Sequence, residues 1–229
     1  MALTIEGPNE SECKWSLIVA EDRQGFDLQA SLAEWLASHR GETAQLWLRE
    51  VDEKSHAVAL ASGFVPHRDL WQLRCDLPNR VSGLDTRPFS ESDIDAFVTL
   101  NNRAFDWHPE QGGLTVEAVR KSMTEPWFNA DGFRLLDNDD GRLMGFCWTK
   151  IHRGADPDLG EIYVIALDPD FHGRGLGKPM TLAGLEWLAA QGLADGMLYV
   201  ESDNHVANAT YAAIGFSRHH TDRAYRLAS

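Results

Sequence analysis

The sequence has few cysteines, and none of them is placed as in a metal site or a disulfide framework. The three cysteines, Cys13, Cys75 and Cys147, are far apart and odd in number, with no Cys-x-x-Cys pair and no zinc-type spacing. The sequence also lacks a run of about twenty apolar residues, and its N-terminus lacks the basic and apolar regions of a signal peptide. We therefore expect a reduced, cytoplasmic protein that binds no metal and no membrane.

Positive charge is scarce as well. The chain has 21 Lys and Arg residues against 35 Asp and Glu residues, a net charge of −14. Nucleic-acid binding depends on clustered Lys and Arg, so this balance argues against a nucleic-acid partner. With 229 residues, 43% of them hydrophobic, the chain is long enough for one large domain or two small ones.

The stretch "FHGRGLGKP" at 171–179 is rich in glycine but fits neither common nucleotide motif. Its Gly-x-Gly-x-Gly spacing differs from the Gly-x-Gly-x-x-Gly of dinucleotide-binding folds. A phosphate-binding loop ending in Gly177-Lys178 would need glycine in place of His172 and a hydroxyl residue in place of Pro179. What remains is a tight turn that leads into a helix, where backbone N–H groups can bind an anion. Arg174 and Lys178 add positive charge there.

The residues before and after this stretch predict an α/β fold with a mixed central sheet flanked by helices. Strands are expected at 132–136 and 142–152, joined as a hairpin, and at 160–167, where continuous apolar character indicates a strand buried on both faces. Helices are expected after Ser90, after Thr115 and after the glycine stretch. A strand over 197–202, a helix over 204–214 and two short closing strands complete the prediction.

The first half of the chain resembles the second when the sequence is shifted by 152 positions. The match runs without a gap from Trp35 to Cys75 and aligns "AxGF" at 61–64 with "AxGF" at 213–216. We therefore predict two parts: a degenerate, truncated half-repeat over 1–80 and a complete domain over 83–229.

Two motifs of the second half resemble those of the GCN5-related N-acetyltransferase (GNAT) superfamily. "HGRGLG" resembles the family's Q/R-x-x-G-x-G/A loop, with His172 in place of the usual Gln or Arg, and "NHVANATYAAIGF" at 204–216 matches its N-x-x-A-x-x-x-Y-x-x-x-G-F pattern. The resemblance implies the GNAT fold and acetyl-CoA as co-substrate. It also implies that Tyr211 donates a proton to the departing CoA thiolate.

Further segments, 101–115, 145–152, 160–169 and 198–204, resemble the mycothiol synthases, tandem-domain GNAT enzymes that acetylate the cysteinyl amine of cysteinyl-glucosaminyl-inositol. This resemblance implies that Glu161 deprotonates the substrate amine and that Glu110, Lys150, Glu161 and Tyr199 bind the substrate. The predicted cofactor residues are Ile165, Ala166, Leu167, His172, Gly173, Arg174, Gly175, Leu176, Gly177, Lys178, Asn204, His205, Val206, Ala207, Asn208 and Ala209.

Two other functions share these cofactor residues. One is acetylation of a different small amine or of a protein N-terminus; the other is acyl-CoA binding without catalysis, against which Glu161 and Tyr211 both argue. The expected partner is a small-molecule amine, and the chain is expected to be a monomer.

The first half is predicted to bind no CoA and to have no activity. Under the shift of 152, "AEDRQG" at 20–25 stands where "HGRGLG" stands in the second half. Glu21 and Asp22 would repel a pyrophosphate. Asp52 takes the place of Asn204, and Ala59 takes the place of Tyr211.

Overall fold

The computed structural model describes residues 3–7, 14–22, 24–106, 112–154 and 157–227. The chain forms two compact units. Unit 1 comprises Met1–Gln72, Val200–His205 and Arg218–Ser229, and unit 2 comprises Leu73–Tyr199 and Val206–Ser217. These units differ from the predicted division at residues 80–83, because the first segment of unit 1 ends at Gln72 and two later segments, Val200–His205 and Arg218–Ser229, also belong to unit 1. Within the described ranges, no helix has the length and apolar character needed to cross a membrane.

Unit 1 is built on two parallel strands, each with an antiparallel neighbour on its other side. Strand β2 pairs with β3 in parallel, β1 pairs with β2, and β10 pairs with β3. Its elements are β1 (Leu3–Glu6), β2 (Lys14–Val19), α1 (Leu28–Ser38), β3 (Thr43–Leu48), α2 (Glu53–Ala61) and most of β4 (Phe64–Asp76) and β10 (Ser217–Leu227). Two short closing strands were predicted where the structure has the single strand β10; that prediction was wrong, because the segment contains no glycine or proline to interrupt it.

Both helices of unit 1 begin at an aspartate. The side chain of Asp27 accepts a hydrogen bond from the N–H of Ala30 at 3.0 Å, and that of Asp52 accepts one from the N–H of Ser55 at 2.6 Å. Carboxylates satisfy the free amides of a first helical turn and interact favourably with the helix dipole. The N-termini of α1 and α2 are therefore already bound by anionic side chains.

In unit 2, five strands lie side by side in the order β5-β6-β7-β8-β9, antiparallel except for the parallel pair β8 and β9. Its elements are β5 (Arg87–Pro88), α3 (Ile94–Ala104), α4 (Val116–Met123), β6 (Phe133–Asp137), β7 (Leu143–His152), β8 (Leu159–Leu167), α5 (Gly177–Ala190), β9 (Asp195–Glu201) and α6 (His205–Ile214), with the ends of β9 and α6 extending into unit 1. The predicted hairpin of β6 and β7 is confirmed, as is the cap at Thr115, whose side chain accepts from the N–H of Ala118.

The two faces of this sheet carry different helices. Helices α3 and α4 pack with Phe146 and Trp148 of β7 in one apolar core. Helix α5 instead approaches Cys147 and Thr149, where Gly184 leaves no room for a Cβ. Since neighbouring strand residues point to opposite faces, Trp148, Lys150 and His152 belong to the face with α3 and α4.

Candidate functional site

Strands β8 and β9 stay paired for only part of their length. Their described ladder joins Gly160 to Gly196 and Glu161 to Met197, and it ends at Ile162 with Leu198. Strand β8 continues to Leu167, and on its other edge it remains paired with β7, for example at Phe146 and Ala166. Beyond Ile162, the edge of β8 that faces β9 therefore lies outside the described ladder. Its backbone N–H and C=O groups are available to an extended ligand.

A β-bulge lies at the point where this ladder ends. Trp148 of β7 pairs with Val164 and Thr149 pairs with Ile162, so Tyr163 is an extra residue in β8. Bulges bend a strand and redirect a side chain. Tyr163 is 40% exposed, and Val164 to Ala166 are half-buried. The prediction of a strand buried on both faces was therefore wrong beyond Ile162, because β8 there borders an opening rather than a neighbouring strand.

The glycine stretch follows β8 directly and leads into α5. Gly173 and Gly175 have φ angles of 75° and 74°, a left-handed conformation that glycine adopts without strain. A Cβ built at Gly173, Gly175 or Gly177 would meet no heavy atom within 4 Å, so the space beside this backbone is open. The first amides of α5 have no partner within the helix, and an anion could accept hydrogen bonds from them.

The charged side chains of the glycine stretch contact nearby parts of unit 2. His172 donates from Nε2 to the carbonyl oxygen of Leu167 at 3.0 Å. Lys178 donates from Nζ to the carbonyl of Ala213, near the end of α6, at 3.2 Å. The guanidinium of Arg174 lies 4.8 Å from the ring centroid of Phe171. The stretch therefore carries two cations within reach of an anion at the α5 N-terminus.

Two carboxylates beside the stretch are neutralised by arginines. Buried Asp168 binds Arg103 at 2.7 Å and Arg142 at 3.1 Å, and Asp170 binds the same two arginines. The hydrogen bond from Arg142, followed by the one from Arg103, lowers the pKa of Asp170. These carboxylates are thus paired, which limits their repulsion of an anionic ligand.

Glu161 and His152 form a hydrogen-bonded pair beside the opening. Glu161 is only 7% exposed, and its Oε2 lies 2.7 Å from Nε2 of His152. Because the carboxylate accepts, Nε2 carries the hydrogen. The sequence identified Glu161, but it did not identify His152. Alternation along β7 places His152 on the same face as Lys150, so the register of the hairpin is the signal that could have found it.

Lys150 and Tyr199 lie on the same sheet face as Glu161. Lys150 is directly opposite Glu161 in the β7–β8 ladder, and its Nζ lies 4.7 Å from the ring of Trp127 and 5.3 Å from that of Tyr163. Tyr199 follows Met197, the partner of Glu161, by two residues and is 38% exposed. The structure thus brings three of the four predicted substrate residues to one face. The fourth, Glu110, lies outside the described residues.

A cavity of about 400 Å³ lies beside the bulge, on the face with α3 and α4. Its lining residues are Phe97, Asn101, Gly112, Gly113, Leu114, Thr115, Ala118, Ser122, Trp148, Tyr163 and Val164. Asn102 of α3 makes two hydrogen bonds to the backbone of Leu114, which lines the cavity. Its side chain donates to the carbonyl of Leu114 at 2.9 Å and accepts from the N–H of Leu114 at 2.8 Å. The start of α4 is thereby tied to α3.

Tyr211 is buried in unit 2, on α6. Its ring packs edge-on against Phe216 with centroids 5.7 Å apart, and Gly215 ends the helix with a φ of 114°. Burial raises the pKa of the Tyr211 hydroxyl, and proximity to Cys147 adds to the shift. Burial also raises the pKa of Cys147 to about 12, so neither group is ionised near neutral pH.

The remaining predicted residues, at the start of α6, are divided between the units. Asn204 and His205 belong to unit 1, and Val206 to Ala209 belong to unit 2. Val206 is 82% exposed, whereas Ala207 and Asn208 are half-buried.

Known proteins match this chain in sequence and in fold. The sequence profile of the Acetyltransferase (GNAT) family matches residues 94–216. The mycothiol acetyltransferase of Actinosynnema mirum is 44% identical over 198 residues, which cover 83% of this chain and 66% of that protein. The mycothiol acetyltransferase of Segniliparus rotundus is 39% identical over 217 residues, which cover 90% of this chain and 82% of that protein. The chain therefore corresponds to about two thirds to four fifths of the length of these relatives.

Among solved structures, the GCN5-related N-acetyltransferase of Sphaerobacter thermophilus superposes with a TM-score of 0.75 at 19% identity, covering 98% of this chain and 76% of that one. At this identity the likeness concerns the fold.

Proposed function

We infer the function from the family: this chain belongs to the acetyltransferase (GNAT) family and, within it, to the mycothiol acetyltransferases. It transfers the acetyl group of acetyl-CoA to the cysteinyl amine of cysteinyl-glucosaminyl-inositol. The observation that carries the proposal is the end of the β8–β9 ladder beside the buried Glu161–His152 pair. At this point of the sheet, the edge of β8 offers a binding position for an extended cofactor arm, and Glu161 offers a base.

In this proposal the acetyl-CoA arm lies along the edge of Ile165 to Leu167. Its pantetheine amides replace the missing β9 partner, and Asn204 to Ala209 flank the arm. The pyrophosphate accepts hydrogen bonds from the amides between His172 and Lys178 at the start of α5. Two features support the fit: the open space beside Gly173, Gly175 and Gly177, and the two nearby cations Arg174 and Lys178.

The chemistry begins with loss of a proton from the substrate ammonium. An α-amino group has a pKa near ~8, so the amine is mostly protonated at neutral pH and cannot attack. Glu161 takes this proton directly or through water, and His152 holds the carboxylate in position. The neutral nitrogen then attacks the thioester carbonyl, and a backbone N–H near the end of β8 stabilises the oxyanion that forms.

Collapse of this intermediate breaks the C–S bond and forms the amide. The nitrogen releases its second proton to solvent, the sulfur leaves as the CoA thiolate, and the thiolate then takes up a proton from solvent. A free thiol has a pKa near ~8.5, whereas that of Tyr211 is raised above its usual value. Tyr211 therefore remains protonated throughout and stabilises the departing thiolate by donating a hydrogen bond from its hydroxyl group.

The acceptor is proposed to occupy the cavity between the bulge at Tyr163 and the helices α3 and α4. A glycosylated inositol presents many hydroxyl groups, and each needs a hydrogen-bond partner when it is buried. Lys150, Tyr199 and Glu110 are the proposed partners. Tyr163, which lines the cavity and is 40% exposed, provides an aromatic surface of the kind against which a sugar ring packs.

Unit 1 is proposed to be a degenerate half-repeat without a CoA site. Three observations support this. Strands β2 and β3 stay paired in parallel up to their last residues, Val19 and Leu48. Just beyond them, the N–H of Arg49 donates a hydrogen bond to the carbonyl of Val19 at 3.0 Å. The helix N-termini are bound by Asp27 and Asp52. A cavity of about 740 Å³ beside them is lined by Glu21 and Glu50 as well, which disfavours an anion.

The test compares acceptors and one substitution. Acetyl-CoA consumption is measured with cysteinyl-glucosaminyl-inositol and with a panel of other small amines and N-terminal peptides. We expect the first acceptor to give the highest kcat/KM, and Glu161→Gln to lower that value roughly 10²-fold or more. Glu186→Gln, an exposed residue of α5, is the matched control and should leave the rate within twofold.

A preference for another amine would contradict the proposed acceptor while leaving acetyl transfer intact. An unchanged rate in Glu161→Gln would exclude Glu161 as the base.

A further inference from the structure

Three potential metal ligands meet in unit 1. They are Glu50, in the turn after β3, and His219 and His220, on β10. One ligand atom from each lies within 4.8 Å of the others. The Nδ1 atoms of the two histidines are 3.0 Å apart, and Nδ1 of His220 is 3.1 Å from Oε1 of Glu50.

These distances approach those of a bound metal. Zinc binds histidine nitrogen and carboxylate oxygen at about 2.0–2.2 Å, so adjacent ligand atoms of a tetrahedral site are about 3.4 Å apart. A small outward movement of His220 would bring both of its measured separations to this value. Two imidazole nitrogens and a carboxylate oxygen suit a late first-row divalent metal better than Mg²⁺ or Ca²⁺, which prefer oxygen ligands.

Asp222 orients one of the ligands. Its side chain is 1% exposed, and its Oδ1 lies 3.4 Å from Nε2 of His220. The carboxylate is itself held by Arg49, at 2.6 Å, and by the N–H of Glu50, at 2.9 Å. A metal-bound histidine commonly donates its other ring N–H to such a carboxylate, which fixes the tautomer and the ring orientation.

The backbone conformation and the overall charge also favour a bound cation. Glu50 has a φ of 44°, a left-handed conformation that is unusual for a residue other than glycine and that often marks a functional position. His219 is exposed, so a metal from solution can reach the cluster. The net charge of −14 also attracts cations.

We propose that Glu50, His219 and His220 bind one Zn²⁺ ion through Oε1, Nδ1 and Nδ1, with solvent completing the coordination. The ion would join the turn between β3 and α2 to β10, two segments far apart in sequence that are also linked by the hydrogen bond from the N–H of Val51 to the carbonyl of Thr221.

The experiment uses the untagged, metal-stripped full chain. Zn²⁺ binding is measured by calorimetry, and Co²⁺ binding by its visible absorption, which reports coordination geometry. We expect one Zn²⁺ per chain, a tetrahedral-type Co²⁺ spectrum, and at least a tenfold weaker affinity for both metals in Glu50→Gln and in His219→Ala. Glu53→Gln, an exposed acid on the adjacent helix, is the matched control and should bind within twofold of the original chain.

Circular dichroism confirms that each variant is folded before its affinity is interpreted. Binding that is equally strong in His219→Ala, or that exceeds one ion per chain without saturating, would contradict the site. Absence of Zn²⁺ binding would overturn the proposal.

Discussion

Glu161 is the residue on which the chemistry depends, and the sequence and the structure identify it for different reasons. In the sequence, it is a carboxylate in an otherwise apolar strand, where an unpaired charge would be costly. In the structure, Nε2 of His152 lies 2.7 Å from its carboxylate. The sequence could not supply this partner, because the pattern did not fix the register in which β7 pairs with β8.

Tyr211 leads to a prediction about pH. Burial raises the pKa of its hydroxyl above the ordinary value near ~10. The protonated form therefore predominates at every pH below 10, and its contribution to the rate should not titrate in that range. We expect Tyr211→Phe to lower kcat roughly 10- to 100-fold, by the same factor at pH 7 and at pH 9, with CoA affinity preserved.

This result is checked by pH–rate profiles of both proteins and by a CoA titration of the variant. A wild-type advantage that disappears between pH 7 and pH 9 would indicate a Tyr211 hydroxyl that ionises in that range, contrary to its burial. An equal kcat in the two proteins would remove Tyr211 from the mechanism.

At the scale of elements, periodicity and caps were sufficient to predict the helices and strands of unit 2. The hairpin of β6 and β7, the strand β8 and the helix α5 all lie within a few residues of their predicted positions. Two decisive details could not be predicted. The bulge at Tyr163 and the early end of the β8–β9 ladder depend on pairing between strands, and an apolar strand has the same sequence pattern whether its edge faces a neighbour or a ligand.

The link between α3 and α4 gives the prediction at this scale. Asn102 makes two hydrogen bonds to the backbone of Leu114, in the wall of the proposed acceptor cavity. Asn102→Ala leaves that backbone unsatisfied, at a cost of about 1–3 kcal/mol. We expect KM for the acceptor to rise at least fivefold and KM for acetyl-CoA to stay within twofold.

Thr99→Ala is the control, because Thr99 lies on the exposed side of the same helix and bonds only within it. Parallel increases in both KM values would show that Asn102 supports the whole domain rather than the acceptor wall.

At the scale of the whole molecule, the two units contain similar series of elements with different chemistry at their ends. Each unit contains a strand, a helix, a second strand parallel to the first, and another helix. In unit 1 these elements are β2, α1, β3 and α2, and in unit 2 they are β8, α5, β9 and α6. In unit 2 the parallel ladder ends early and glycines precede the helix. In unit 1 the ladder continues, and aspartates bind the helix N-termini.

The repeat itself was inferred from the sequence, through the match between Trp35 and Cys75 and the residues 152 positions later. The sequence also predicts that the first half lacks an anion site, because Glu21 and Asp52 bring negative charge to the corresponding positions. It did not suggest that the last strand of the chain belongs to unit 1, since that assignment depends on contacts distant in sequence.

The central claim is that the chain has one CoA site, at the glycine stretch of unit 2. The most direct test is a calorimetric titration of the full chain with CoA, repeated with Gly175→Ala. The control is Gly192→Ala, which introduces the same backbone strain at a φ of 82° in another turn of unit 2 with equally open surroundings.

We predict one CoA per chain, at least a tenfold weaker affinity in Gly175→Ala, and an affinity within twofold of the original in Gly192→Ala. Two equivalents of CoA, or an affinity that Gly175→Ala leaves unchanged, would contradict the account.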